Sequence, residues 1–235
     1  MKKKLFLGAI LAFVFAFSTT AGANLIQNGD FENPAADING AEFTLGASDT
    51  GEWYALGPWA VLAGGPAGSS YYFNHTGGTG GDQRAYQPID TSGMALAGRE
   101  ITLSFDYIFQ QGNWQIQDMG VALVGLSGIG AKYVAYGGAG YDGTFGVDGP
   151  GITRTVLGTL ALTSTGGWSS DSLSVVLGQD YDVLIAVFAS SAWTGSGGVR
   201  GIDNVNVSAV PEPAIMLLLG LGLMGLAGVR RKLKK

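Results

Sequence analysis

From Ile101 to Phe109 apolar and polar residues alternate without a break. Ile101, Leu103, Phe105, Tyr107 and Phe109 fall on one side of a pleat, and Thr102, Ser104 and Asp106 on the other. A period of two is that of a β-strand with one buried face. No stretch between Asn24 and Ala209 shows the three-to-four spacing of a long amphipathic helix. Instead, β-branched and aromatic runs alternate with clusters of Gly, Asn, Asp and Ser. The chain has 40 Gly in 235 residues. They follow no G-x-y period, so a collagen-like body is excluded. They gather in tracts such as Gly64-Gly65-Pro66-Ala67-Gly68, Gly77-Gly78-Thr79-Gly80-Gly81 and Gly195-Ser196-Gly197-Gly198, which hold regular strands poorly and read as loops. A hydrophobic share of 46% supplies a core.

Further strands are predicted at Gly120–Leu126 and Lys132–Tyr136, joined as a hairpin across Ser127-Gly128-Ile129-Gly130. A long strand over Thr153–Thr163 is interrupted by Gly158. Asp182–Ala189 is apolar on both faces, as a central strand is. Ile202–Ser208 closes the series, with short strands near Trp53–Leu62, Tyr71–Asn74 and Ala85–Gln87. About nine or ten strands with such loops define an all-β fold, an antiparallel β-sandwich of jelly-roll type over residues 24–209. No internal repeat points to a solenoid.

The two ends are of a different kind. Lys2, Lys3 and Lys4 precede an apolar run from Leu5 to Phe17, and Ala21-Gly22-Ala23 is a small-residue cleavage site. These are the parts of a signal peptide over residues 1–23, handled by the general secretion machinery and signal peptidase. At the other end Pro211-Glu212-Pro213 precedes the uncharged stretch Ala214–Val229, followed by Arg230-Arg231-Lys232-Leu233-Lys234-Lys235. A helix over 214–229 would be about 24 Å long, slightly short of a typical hydrocarbon core. Basic residues after a span hold that end in the cytoplasm. This leaves 24–210 on the far side of the membrane. A plain membrane anchor would need only the apolar helix and basic tail. With Pro-Glu-Pro in front, residues 210–235 resemble the PEP-CTERM sorting signal of Gram-negative bacteria. That resemblance implies processing by an exosortase near Pro211, Glu212 and Pro213, transient anchoring in the inner membrane, and delivery to the cell surface or extracellular matrix of biofilm-forming, exopolysaccharide-producing cells.

Division of the charge follows from these boundaries. The formal net charge is −5 for the whole chain, but residues 24–210 hold 17 acidic and 5 basic side chains, a net of −12. Such a body repels nucleic acid and anionic lipid. The chain has no Cys, which removes disulfides, thiolate metal sites and a Cys nucleophile together. A single histidine, His75, rules out a multi-His zinc centre. No G-x-S-x-G elbow accompanies it. The acidic residues offer many carboxylate pairs for glycoside hydrolysis, and no spacing selects one.

Asn24-Leu25-Ile26-Gln27-Asn28-Gly29-Asp30-Phe31-Glu32 resembles the opening of galactose-binding-like jelly rolls, several carbohydrate-binding modules among them. Gly201-Ile202-Asp203-Asn204-Val205-Asn206-Val207 resembles their closing strand. Gly81-Asp82-Gln83-Arg84-Ala85-Tyr86-Gln87, followed by the Ile101–Phe109 strand, fits their middle. The resemblance implies a structural calcium held by Glu32 and Asp203, with Asp30 contributing. The competing reading of these carboxylates is that they satisfy backbone N–H groups where the ends of the domain pair. Calcium takes six to eight oxygens, more than these side chains provide alone.

Aromatic residues form the other candidate site. Trp53, Tyr54, Trp59, Tyr71, Tyr72, Trp114, Trp168 and Trp193 mostly sit beside Gly or polar loop residues. Aromatic faces stack on the C–H surfaces of sugars, and neighbouring amides bond the hydroxyls. Trp114 with Gln111, Asn113 and Gln115 is the densest such group. The alternative is that Trp114 packs under its loop and the amides face water. The sequence therefore predicts an exported, sorted surface or matrix protein without catalytic residues, in a structural or adhesive role. A carbohydrate-binding module and a glycoside hydrolase are the alternatives.

Overall fold

The computed structural model describes residues 24–33, 38–39, 53–56, 59–75, 82–110, 118–128, 153–191 and 199–209. They hold eleven strands and no helix. In chain order these are β1 (Ile38–Asn39), β2 (Trp53–Leu56), β3 (Trp59–Ala63), β4 (Tyr71–His75), β5 (Asp82–Asp90), β6 (Glu100–Gln110), β7 (Asp118–Ser127), β8 (Thr153–Leu162), β9 (Ser169–Val176), β10 (Val183–Ser191) and β11 (Val199–Ala209). Two sheets form a sandwich. One has six strands in the order β1-β2-β5-β10-β7-β8, the other five in the order β3-β4-β11-β6-β9. All the pairings with a described register are antiparallel except β1 with β2. Residues 24–208 form a compact unit of their own.

The alternation in β6 is realised in full. Ile101, Leu103, Phe105, Tyr107 and Phe109 are buried, while each residue between them is partly open. Their partners across the sandwich come from β10. Phe105 meets Phe188 edge-on at 5.2 Å between ring centroids, and Phe188 lies 6.2 Å from Trp53. Burial of such rings is the main driving force for closing two sheets on each other. As its unbroken apolar run predicts, β10 is central. β5 and β7 pair along its two edges, and Val183 to Ala189 are buried without exception.

Three local expectations are corrected. The predicted strand over Trp53–Leu62 is two strands in different sheets, β2 and β3. Gly57-Pro58 lies between them, a dipeptide that favours a turn and denies the ladder an N–H. The predicted hairpin partner of β7 is displaced. Both edges of β7 are taken, by β10 and by β8, and Ser127 stands opposite Thr153; Lys132–Tyr136 lies outside the described residues. Strand β9 has no predicted counterpart, because only Leu173 and Val175 alternate with its serines, too little apolar periodicity to stand out. Gly158, by contrast, interrupts β8 as expected. The β7–β8 register slips there, with Leu123 opposite Gly158 and Val124 opposite Val156, so Leu157 is the extra residue of a bulge.

Candidate functional site

The opening and closing segments pair as their motifs suggest. Leu25 N–H donates to the Val207 carbonyl at 2.8 Å and Val205 N–H to the Gly29 carbonyl at 2.8 Å. Gly29 lies so close to β11 that a Cβ there would fall 2.1 Å from the Val205 carbonyl oxygen, so only glycine allows the docking. The chain then turns Glu32 toward the loop between β3 and β4. Glu32 Oε1 accepts hydrogen bonds from Ser70 N–H at 2.5 Å, the Ser69 hydroxyl at 2.9 Å and Tyr71 N–H at 3.2 Å. These donors, that of Ser70 first, hold the Glu32 carboxyl below its ordinary range. Asp30 Oδ1 accepts from Glu32 N–H at 3.4 Å. Asp30 also lines a shallow groove with Asn24, Asn28, Asn204 and Asn206.

Asp203 sits beneath this clasp, fully buried. Its Oδ1 accepts Asn204 N–H at 2.7 Å. Ser69 is close enough to favour the ionised form of Asp203. Its single proton, however, is engaged by Glu32 Oε1 and by the Tyr71 carbonyl at 2.8 Å, which leaves Asp203 Oδ2 without a partner. Burial pushes the Asp203 carboxyl up to about 6, against the nearness of the Ser69 hydroxyl and the hydrogen bond from Asn204 N–H, and the nearby Asp106 and Glu32 charges add to the rise.

The sequence placed Glu32 and Asp203 together, and the fold does bring them together. Calcium asks for more. Among the described residues no three or more His, Asp or Glu side chains converge, and Glu32 Oε1 faces three donor hydrogens, the wrong polarity for a cation. These residues do not complete a calcium shell. What the arrangement does is raise the pH at which Asp203 gives up its proton. A carboxyl raised in the folded state binds its proton more tightly than in the unfolded chain. Asp203 therefore contributes stability below pH 3.8 that is lost as pH rises through about 6. Asp203→Asn is expected to flatten this limb and to raise stability at pH 7 by at most about 3 kcal/mol. Thermal melts from pH 4 to pH 7, with calcium and with EDTA, read it directly. A variant less stable than the parent at pH 7 would show a charged, partnered Asp203 and overturn this account.

The fold sorts the aromatic candidates. Trp53, Tyr54 and Trp59 are buried, Trp53 donating Nε1–H to the Asn28 carbonyl at 3.2 Å. Trp114, with Gln111, Asn113 and Gln115, lies outside the described residues, as does Trp193. Tyr71, Tyr72 and Trp168 remain half-open, and Tyr72 and Trp168 meet edge-on at 5.3 Å and 87°. His75 ends β4. Sequence reasoning missed Ser69, which carries no motif. It also missed Asp106, although that residue's outward place in the best-defined strand was readable from the alternation.

Residues 209–232 match the PEP-CTERM protein-sorting motif. The chain therefore carries an exosortase sorting signal at its C-terminal end, which marks it for export and membrane-anchored sorting. The motif itself, Pro211, Glu212 and Pro213, lies outside the described residues with the expected helix 214–229 and the signal peptide 1–23. Among the described residues no helix is long and apolar enough to cross a membrane. No curated protein matches the chain. Solved structures similar to it include several carbohydrate-binding modules. A family 61 module, TmCBM61, solved with β-1,4-galactotriose, is 12% identical, with 78% of this chain and 97% of that one covered and a TM-score of 0.44. A CBM4 structure is 14% identical over 79% of this chain and 99% of that one, with a TM-score of 0.46. A CBM22 xylan-binding domain from Paenibacillus barcinonensis is 13% identical over 72% and 99%, with a TM-score of 0.41.

Proposed function

We propose that this protein is an exported, exosortase-sorted constituent of the cell surface or extracellular matrix of a Gram-negative bacterium, with a structural or adhesive role beside exopolysaccharide. The observation that carries this reading is the sorting motif over residues 209–232, placed directly after a closed all-β body. The general secretion machinery and signal peptidase deliver the body across the inner membrane. The C-terminal helix holds it there transiently, and the exosortase releases it near Pro211–Pro213. A strongly acidic exterior keeps the delivered body soluble and away from nucleic acid.

A carbohydrate-binding role is the second reading, favoured by the half-open Tyr72–Trp168 pair. A hydrolase is less well supported. Glycoside hydrolysis needs two carboxyls flanking an open cleft. Among the described residues, the carboxyls gathered around Asp203, itself fully buried, are Glu32, bound to backbone N–H groups, and Asp106, bound to Ser170 and Asn204. Surface labelling and fractionation of the producing strain test the proposal. The protein is expected on intact cells or in their matrix, and in the culture fluid when exopolysaccharide synthesis is deleted. Retention in the inner membrane of both strains would refute the matrix role.

A further inference from the structure

The two outer faces of the sandwich are chemically opposite. On the six-stranded sheet, Tyr54, Tyr86, Ala122, Val124, Leu126, Val183, Ile185 and Val187 form one apolar cluster, none more than 5% exposed. Their neighbours Trp53 and Phe188 point the other way, into the core. That face is withdrawn from solvent. On the five-stranded sheet the outward residues of β6 are Thr102, Ser104, Asp106 and Ile108, all partly open. Across from them on β9 stand Ser170, Ser172 and Ser174, all exposed. Asp106 is in register with Ser170, Ser104 with Ser172, and Thr102 with Ser174.

At one end of this strip the aromatic pair is seated by the backbone. A Cβ on Gly201 would fall 2.6 Å from the Tyr72 ring and 3.1 Å from Ile108 Cγ2, so the ring lies directly on β11 beside Ile108. Trp168 enters from the chain just before Ser169, which pairs with Tyr107, and meets Tyr72 edge-on. One alternate-residue step along β6, about 7 Å, lies Asp106. It accepts from the Ser170 hydroxyl at 2.5 Å and from Asn204 Nδ2 at 2.8 Å. Both partners are thereby fixed. Asn204 keeps its carbonyl oxygen and second amide hydrogen for solvent, and Ser170 keeps its oxygen lone pairs. Beyond them the Thr102 and Ser174 hydroxyls bond each other at 2.8 Å.

We propose that this outer face binds a neutral polysaccharide, with the edge-on Tyr72–Trp168 pair packing against a sugar ring and Asn204 and Ser170, oriented by Asp106, bonding its hydroxyls. The proposal rests on the matrix reading above and names the surface that makes the contact. A small ligand takes a concave pocket. An open strip running from Thr102 to Ile108, about 20 Å, fits an extended chain. None of the named residues is cationic, and Arg84 and Arg200 are buried. A uronate, sulfate or phosphate on the polymer would meet Asp106 with no cation of the strip to pair it.

Affinity electrophoresis tests this with the full chain, purified from membranes in detergent, in native gels containing xylan, β-1,4-galactan, hydroxyethylcellulose or alginate. The parent is expected to be retarded by at least one neutral polymer and not by alginate. Trp168→Ala and Tyr72→Ala are expected to weaken retardation about tenfold or more, and Ser170→Ala by a smaller factor. Val176→Ala, a change on the same sheet away from the pair, leaves it unaltered. Melting temperature and near-ultraviolet circular dichroism separate lost binding from lost fold; Ser170→Ala, a change at an exposed hydroxyl, serves where an aromatic variant does not fold. Equal retardation of the parent and every variant would overturn the assignment of this face. Retardation by alginate alone would overturn the neutral class. No retardation in any gel, with the protein still released when exopolysaccharide is absent, would overturn the surface proposed here and leave the matrix reading standing.

Discussion

Replacing Pro211, Glu212 and Pro213 together with alanine is expected to leave the exported protein uncut in the inner membrane, with the processed form reduced at least about tenfold on immunoblots. The apolar stretch 214–229 and the basic residues 230–235 survive the substitution, so membrane insertion with a cytoplasmic end is expected to persist. Only the segment that distinguishes the sorting signal from an ordinary anchor is lost. The body still crosses the membrane, because the signal peptide is untouched. A precursor accumulating in the membrane fraction, with protease-accessible body on its outer side, is the expected picture. Normal processing and normal surface delivery of the variant would mean that the motif is not what the exosortase reads.

Legibility followed periodicity and ran out where side chains act across distance. The alternation of Ile101 to Phe109 and the apolar run of Val183 to Ala189 each report a whole strand and its place in the sheet, because every residue in them responds to the same burial. The Asn24–Glu32 and Gly201–Val207 motifs were legible for a related reason. Gly29 must lie against the Val205 carbonyl, and glycine in that place is a backbone requirement visible in one letter. The sheet change between Leu56 and Trp59 was hidden, since each strand alone is too short for a period to declare a break. Partners with no local signature were also hidden. Glu32 bonds Ser69 and Ser70 across a separation of 37 and 38 residues, and Asn204 reaches Asp106 across 98. Three of the six described aromatic candidates, Trp53, Tyr54 and Trp59, were core for the reason aromatics usually are. Trp53 and Trp59 bury large surfaces that a sandwich needs, and position beside a glycine does not outweigh that.

Phe31→Ala is expected to be the most damaging single substitution in the body, at about 3–5 kcal/mol, a fall in melting temperature on the order of 10 °C for a domain of this size. Phe31 is 1% exposed. Its ring lies 5.0 Å from Trp53 and 5.2 Å from Phe73, and Phe73 lies 5.2 Å from Trp59. Truncation empties the space against the Trp53 and Phe73 rings of β2 and β4, and large neighbours relax poorly into such a hole. The backbone supplies a second, independent reading. Phe31 has φ of +52° and Asn28 of +46°, a region where a bulky residue is uncommon and costs about 1–2 kcal/mol. In an ordinary extended position Gly is less stable than Ala by about 0.5–1 kcal/mol. At Phe31 the order is expected to reverse, with Phe31→Gly melting above Phe31→Ala although both lose the ring. The same turn delivers Glu32 to Ser69 and Ser70, so both variants are also expected to loosen the clasp over Asp203. Chemical denaturation of the parent and the two variants at pH 7 measures both effects. If the parent-to-alanine loss is below about 1 kcal/mol, the ring does not sit where the sheets are joined. If alanine proves more stable than glycine, the left-handed turn before Glu32 is not part of the native structure.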